Sequence, residues 1–190
     1  ATGKDTTIPL MRNYTVFNAD QVDGYEPQTT KEKPCLVKKI KTVETFINNT
    51  NATIVHSGKA FYRPGDDTVN IPDPDLFKDT ESSTAQENYY STLLHELVHW
   101  TGNKDRLNRK ILNQFSSKDY AKEELVAELG ATFLCISLGI TKQPRIDHAQ
   151  YLNCWLSVLK TDTNAIFRAS AMAGRASDYL HGLQEPPPQS

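Results

Sequence analysis

Apolar positions recur at helical spacing between about residues 84 and 101. Tyr89, Leu93, Leu94, Leu97, Val98 and Trp100 form one stripe, and neither Pro nor Gly interrupts it. Thr84 followed by Glu87 has the form of a capping box, and Gly102 stands just past the end, where a helix stops. A second helical pattern covers about 119–138. Leu125, Leu129 and Phe133 keep the spacing there, and small Ala127, Gly130 and Ala131 favour close packing on a neighbour. Further helices are predicted at about 146–160 and 162–181, with a short one around Val43–Asn48. Strands are predicted near Thr53–His56, Ala60–Tyr62 and Thr68–Ile71. The turn signals Ser57-Gly58 and Pro64-Gly65-Asp66-Asp67 separate them, and Ile71-Pro72-Asp73-Pro74 ends the pattern. A small sheet followed by helices predicts an α+β domain. Thr68–Ile71 reads equally as an ordinary strand or as a sheet edge ended by Pro72; an edge beside a cleft would take an extended peptide.

Three parts follow along the chain. Residues 1–34 read as a polar N-terminal arm with one strand-like stretch, Asn13–Asn18. Residues 35–183 read as the folded domain, and 184–190, with three consecutive prolines, as a disordered or extended tail. At 190 residues the chain is long enough for a real core, and its net charge of −2 gives no broad basic field for nucleic acid. The lysines at 31, 33, 38, 39 and 41 are read as a solvated face. Cys35, Cys135 and Cys154 form an odd, sparse set without a CxxC pair, so a reducing cytoplasm is expected, with Cys135 and Cys154 as core thiols. Signal peptide, transit peptide and membrane span are all lacking in the pattern.

Chemistry changes the picture at His95-Glu96-Leu97-Val98-His99, a full match to H-E-x-x-H. On a helix the two imidazoles share a face and can close on one metal ion, with Glu96 beside a bound water as general base. Zinc is the expected ion, one per chain, or another divalent ion in its place. Two surface histidines on an amphipathic helix are the bland alternative. A third ligand is sought downstream, where Glu124 and Glu128 are four apart on the second helix. Glu124 is assigned to the metal and Glu128 to the outer ring nitrogen of a ligand histidine, and the reverse assignment stays open. In the bland reading Glu123 and Glu124 are solvated and Glu128 pairs with an arginine. For stabilising an oxyanion Tyr151 is the candidate, with His148, Tyr89, Tyr90 and His56 as alternatives. Asp105, Arg106 and Arg109 are read as bracing the loop after the metal helix.

HELVH followed by EELVAE resembles the gluzincin arrangement, as in thermolysin. More closely, YYSTLLHELVHWTGNKDRLNR, then YAKEELVAELGATFL, then HAQYLNCWLSVLKTDTNAIFRASAMAGRASDYL resemble the zincin-like metallopeptidase domain of ArdC-type antirestriction proteins. That domain also occurs in polyvalent proteins of phages and conjugative elements. The resemblance covers about Phe61 to Leu183. It implies a divalent ion held by His95, His99 and a glutamate, with Glu96 as base. RNYTVFNADQVDGY resembles the last strand of the single-stranded-DNA-binding domain that precedes the peptidase in these proteins. A fragment is therefore expected, touching single-stranded DNA only through that missing domain. The expected function is peptide-bond hydrolysis, on a protein or peptide substrate that is DNA-associated or the parent polyprotein, with no membrane partner. A metal-containing scaffold that binds DNA or a host protein without turnover is the alternative, and a non-peptide hydrolase the third.

Overall fold

The computed structural model describes residues 35–109, 118–141, 160, 162 and 164–184, all within one compact unit that begins at Pro34. The arm, the predicted helix at 146–160, Cys154 and the proline tail from Glu185 lie outside the described residues. Four helices and three strands are described: α1 (Lys41–Asn49), β1 (Thr53–His56), β2 (Phe61–Arg63), β3 (Thr68–Ile71), α2 (Ala85–Thr101), α3 (Lys118–Ser137) and α4 (Ala165–Gly182). A 3₁₀ turn, Pro74–Leu76, precedes α2. This is the α+β order expected.

The sheet order is β1-β3-β2. β1 runs parallel to β3 with Thr53 opposite Thr68, and β2 runs antiparallel to β3 with Tyr62 opposite Val69. Of the two readings open for Thr68–Ile71, the ordinary strand is the one found, and the edge reading is ruled out. β3 is the central strand, paired on both sides, and its Val69, Asn70 and Ile71 are buried. Pro72 ends β3 without making it an edge. Among the described residues the edges are β1 and β2.

The β2–β3 turn forms where its residues predicted it, but its left-handed position is Asp67 at φ 57° rather than Gly65. Aspartate tolerates that conformation better than most residues.

α2 is the centre of the domain, packed against β2 and β3 and against α3 and α4. It is buried on nearly all sides: Tyr90, Leu94, Leu97 and Val98 have no exposed surface. Its first turn is satisfied three times over. Glu87 N–H donates to Thr84 Oγ1 at 3.2 Å, Thr84 N–H to Glu87 Oε2 at 2.8 Å, and Ala85 N–H to Asp79 Oδ1 at 2.7 Å. A cap of this kind is worth about 1 kcal/mol. Gly102 ends the helix as expected, yet at φ −77°, so the position does not exploit glycine's left-handed freedom.

α3 and α4 close the other side of α2. Ala169, Ala173, Ala176 and Leu180 form the buried stripe of α4, and three alanines in it let the helices approach closely. Leu125, Val126, Ala127, Ala131 and Leu134 supply the core face of α3. No helix among the described residues is long and apolar enough to cross a membrane.

Candidate metal centre

The site is built where α2 and α3 meet. Four-residue spacing puts His95 and His99 on one face of α2, and their Nε2 atoms stand 3.1 Å apart. Glu124 comes from the facing turn of α3. Its Oε2 lies 3.5 Å from Nε2 of His95 and its Oε1 lies 3.4 Å from Nε2 of His99. Among the described residues, His95, His99 and Glu124 are the group whose ligand atoms all fall within 4.8 Å of one another.

The outer nitrogens of the two rings are also engaged. Nδ1 of His95 lies 3.5 Å from Glu128 Oε1, and Nδ1 of His99 lies 3.3 Å from Glu123 Oε1. In the neutral tautomer whose Nδ1–H groups face these carboxylates, both Nε2 atoms present lone pairs to each other and to Glu124. Three electron-rich atoms facing one point repel unless a cation sits between them. Atoms bound at about 2.0–2.1 Å to a tetrahedral ion stand about 3.3 Å from each other. The two Nε2 atoms at 3.1 Å are near that spacing, and each has one Glu124 oxygen at 3.4 or 3.5 Å, so the donor set fits a small divalent ion.

Electrostatics agree with the geometry. Burial disfavours a charged His99, but hydrogen bonds to Glu123 and Glu124 prevail and raise its pKa to about 10. His95 is raised in the same way, burial opposing and Glu124 prevailing. At Glu124 burial works upward, yet the two imidazoles hold the carboxyl well below its ordinary range. The pocket seeks positive charge, and a divalent ion would supply it where protons otherwise must.

Glu96 lies beside this group without joining it. It is 7% exposed, and burial raises its pKa, partly offset by His95 and His99. The backbone of Tyr62, on edge strand β2, also works against that rise. Raised basicity next to a metal pocket suits proton transfer.

The solvated reading of Glu123 and Glu124 is overturned. Both are buried, each 7% exposed, and Glu123 pairs with an arginine. Arg109 grips it with Nη2 at 2.9 Å from Oε1 and Nε at 3.1 Å from Oε2. Sequence reasoning missed the role of Glu123. One signal was present: two ligand histidines need two acceptors for their outer nitrogens, and only one had been assigned.

Arg106 and Arg109 do brace the loop after α2. Arg106 stacks 3.7 Å over Trp100 and donates to its carbonyl at 2.6 Å and to Asp67 Oδ2 at 2.9 Å. Asp105 is exposed, and its N–H donates to Asn103 Oδ1.

Tyr151 and His148 lie outside the described residues. The alternatives are committed elsewhere. Tyr90 donates to Glu44 Oε1 at 2.8 Å and accepts from Ile40 N–H at 2.9 Å. Tyr89 packs edge-on against Phe77 and Tyr90, and His56 pairs with Asp73 at 3.3 Å.

Comparison with known proteins agrees with this geometry. Residues 41–172 match the family model described as zincin-like metallopeptidase. The chain is 39% identical over 176 residues to the uncharacterized protein y4eC of Sinorhizobium fredii, covering 91% of this chain and 54% of that protein. It is 39% identical over 173 residues to a protein of Escherichia coli named DNA primase TraC, covering 90% of this chain and 16% of TraC. The chain thus spans about half the length of the first of these relatives and far less of the second. Among solved structures, the Mn(II)-bound antirestriction protein ArdC from plasmid R388 is 38% identical, with a TM-score of 0.64 over 90% of this chain and 61% of ArdC. Its metal-free form gives a TM-score of 0.62 over 96% of this chain and 64% of that one. The chain belongs to the zincin-like metallopeptidase family.

Proposed function

We propose that this domain is a metal-dependent peptidase in a plasmid- or phage-related antirestriction-type protein of the cytoplasm, with zinc as its ion. One observation carries the reading: Nε2 of His95, Nε2 of His99 and the Glu124 carboxylate converge, while buried Glu96 stands beside them outside the donor set. His95, His99 and Glu124 would hold the ion, with Glu128 and Glu123 fixing the two rings through Nδ1. When bound, the ion supplies Lewis-acid polarisation of a carbonyl and lowers the pKa of water.

The remaining steps belong to the chain itself. Glu96 takes a proton from a water in the cleft and passes it to the departing nitrogen. Its burial raises its proton affinity towards what both transfers require. β2 is an edge strand among the described residues, and its Tyr62 backbone lies near enough to Glu96 to lower the pKa of that acid, so a substrate segment added in extended form along β2 would lie beside the base. The substrate is a protein or peptide, DNA-associated host proteins and the parent polyprotein being the first candidates.

The names of the relatives favour a second reading. TraC is named as a DNA primase and ArdC as an antirestriction protein, and neither is named for peptide hydrolysis. In that reading the metal centre is a scaffold that contacts DNA or a host protein without turnover. The separating experiment is cleavage of a broad peptide library by the chain with its metal content confirmed. Cleavage is expected; none at full metal occupancy rejects the peptidase and favours the scaffold.

A further inference from the structure

We infer that Arg109 is a positioning residue for the metal centre: by clamping Glu123 against Nδ1 of His99 and bolting α2 to α3, it sets how tightly the site takes a divalent ion. The inference rests on the reading of His95, His99 and Glu124 as ligands.

One guanidinium makes every connection. Its Nη2 donates to the Val98 carbonyl at 2.6 Å and its Nη1 to Thr101 Oγ1 at 2.8 Å, so it grips α2 on both sides of His99. Its Nε and Nη2 hold both oxygens of Glu123 at 2.9–3.3 Å, on the turn of α3 that also carries Glu124. Glu123 Oε1 in turn faces Nδ1 of His99 at 3.3 Å. The side chains of Arg109 and Glu123 are 9% and 8% exposed. A buried guanidinium is costly unless its N–H groups are satisfied, and here they are spent on both helices at the site. A planar fork with five N–H groups can bond both carboxylate oxygens, a carbonyl and a hydroxyl at once; an ammonium, with three N–H groups on one atom, cannot serve all four.

The geometry separates this device from ordinary loop bracing. Arg106 is equally enclosed, at 10% exposure, and comes from the same loop. It bonds Asp67 and the Trp100 carbonyl and touches no acid of the metal centre. Arg106 is therefore the internal control.

The test is Zn(II) affinity of the full chain, measured against a competing chelator, with thermal melting of each metal-free variant. Arg109→Lys and Glu123→Gln should each weaken Zn(II) binding by about 10–100-fold, the usual loss when an outer partner of a metal ligand is removed. The double variant should lose no more than the worse single one, because Arg109 acts through Glu123. Arg106→Lys should lower the melting temperature and leave Zn(II) affinity within about 2-fold of wild type, since it touches neither ligand nor outer partner. Where Arg109→Lys does not fold, Glu123→Gln alone carries the comparison with Arg106→Lys. Wild-type affinity in the Arg109 and Glu123 variants, or an equal loss in Arg106→Lys, overturns the inference while leaving the ligand set intact. A wild-type chain that takes up no Zn(II) overturns the ligand set and the inference together.

Discussion

A methyl group on Gly130 would stand 2.8 Å from Cγ2 and 3.0 Å from Cγ1 of Val98. This is the closest approach of α3 to α2 that a glycine enforces, and Val98 sits between His95 and His99. Alanine is the better helix former by about 1 kcal/mol. The clash outweighs that gain, because Val98 is fully buried and its branched side chain has few rotamers to move into. Gly130→Ala should therefore lower stability by about 1–2 kcal/mol, within the range for overpacked cores. Urea unfolding measures it. In a Val98→Ala background the same change should become neutral or stabilising, and a loss of equal size there would show that the contact is not the cause.

The two acids on α3 should behave differently. Glu124 faces both Nε2 atoms, whereas Glu128 faces the outer nitrogen of His95, with Oε1 3.5 Å from Nδ1. Glu124→Ala should strip the ion from the purified chain. Glu128→Ala should keep it at about 10–100-fold weaker affinity. Elemental analysis before and after dialysis distinguishes them, and retention in Glu124→Ala with loss in Glu128→Ala would reverse the assignment.

Much of this centre was legible before any coordinates. H-E-x-x-H is a local signal, so a helical period alone brings His95 and His99 together. Glu124 and Glu128 were legible by the same period, and Gly130 by its place among small residues on a helix. What was not legible depends on contacts between distant segments. β3 reads equally as an edge or an interior strand because strand order is set by pairing across the sheet, and Pro72 reports only where the strand stops. Glu123 was passed over because its partner Arg109 lies in a loop 14 positions away, and no periodicity links a loop to a helix. The Asp67–Arg106 pair spans 39 positions and is hidden for the same reason.

That pair gives a pH prediction. The hydrogen bond from Arg106 lowers the Asp67 pKa below the ordinary 3.8, with burial opposing it. A carboxylate lowered on folding stabilises the protein above its unfolded pKa and loses that contribution as pH falls through the folded one. Wild type should thus exceed Asp67→Asn in stability at pH 6, and the two should converge below about pH 4. The gap is modest, since Asp67 is 44% exposed and screened by water. Chemical denaturation at both pH values checks it; a gap that widens in acid contradicts the clamp.

The account stands most directly on Glu96. It is buried beside the donor set and is not among the grouped ligand residues. Glu96→Gln keeps the size of the side chain and one carbonyl oxygen, but removes the base. The measurement is peptide cleavage by Glu96→Gln and wild type, each with its metal content determined in the same sample. The account predicts equal metal content and a rate lower by at least about 10²-fold, the lower end of what general base catalysis contributes. A metal-loaded Glu96→Gln that cleaves at the wild-type rate would contradict it.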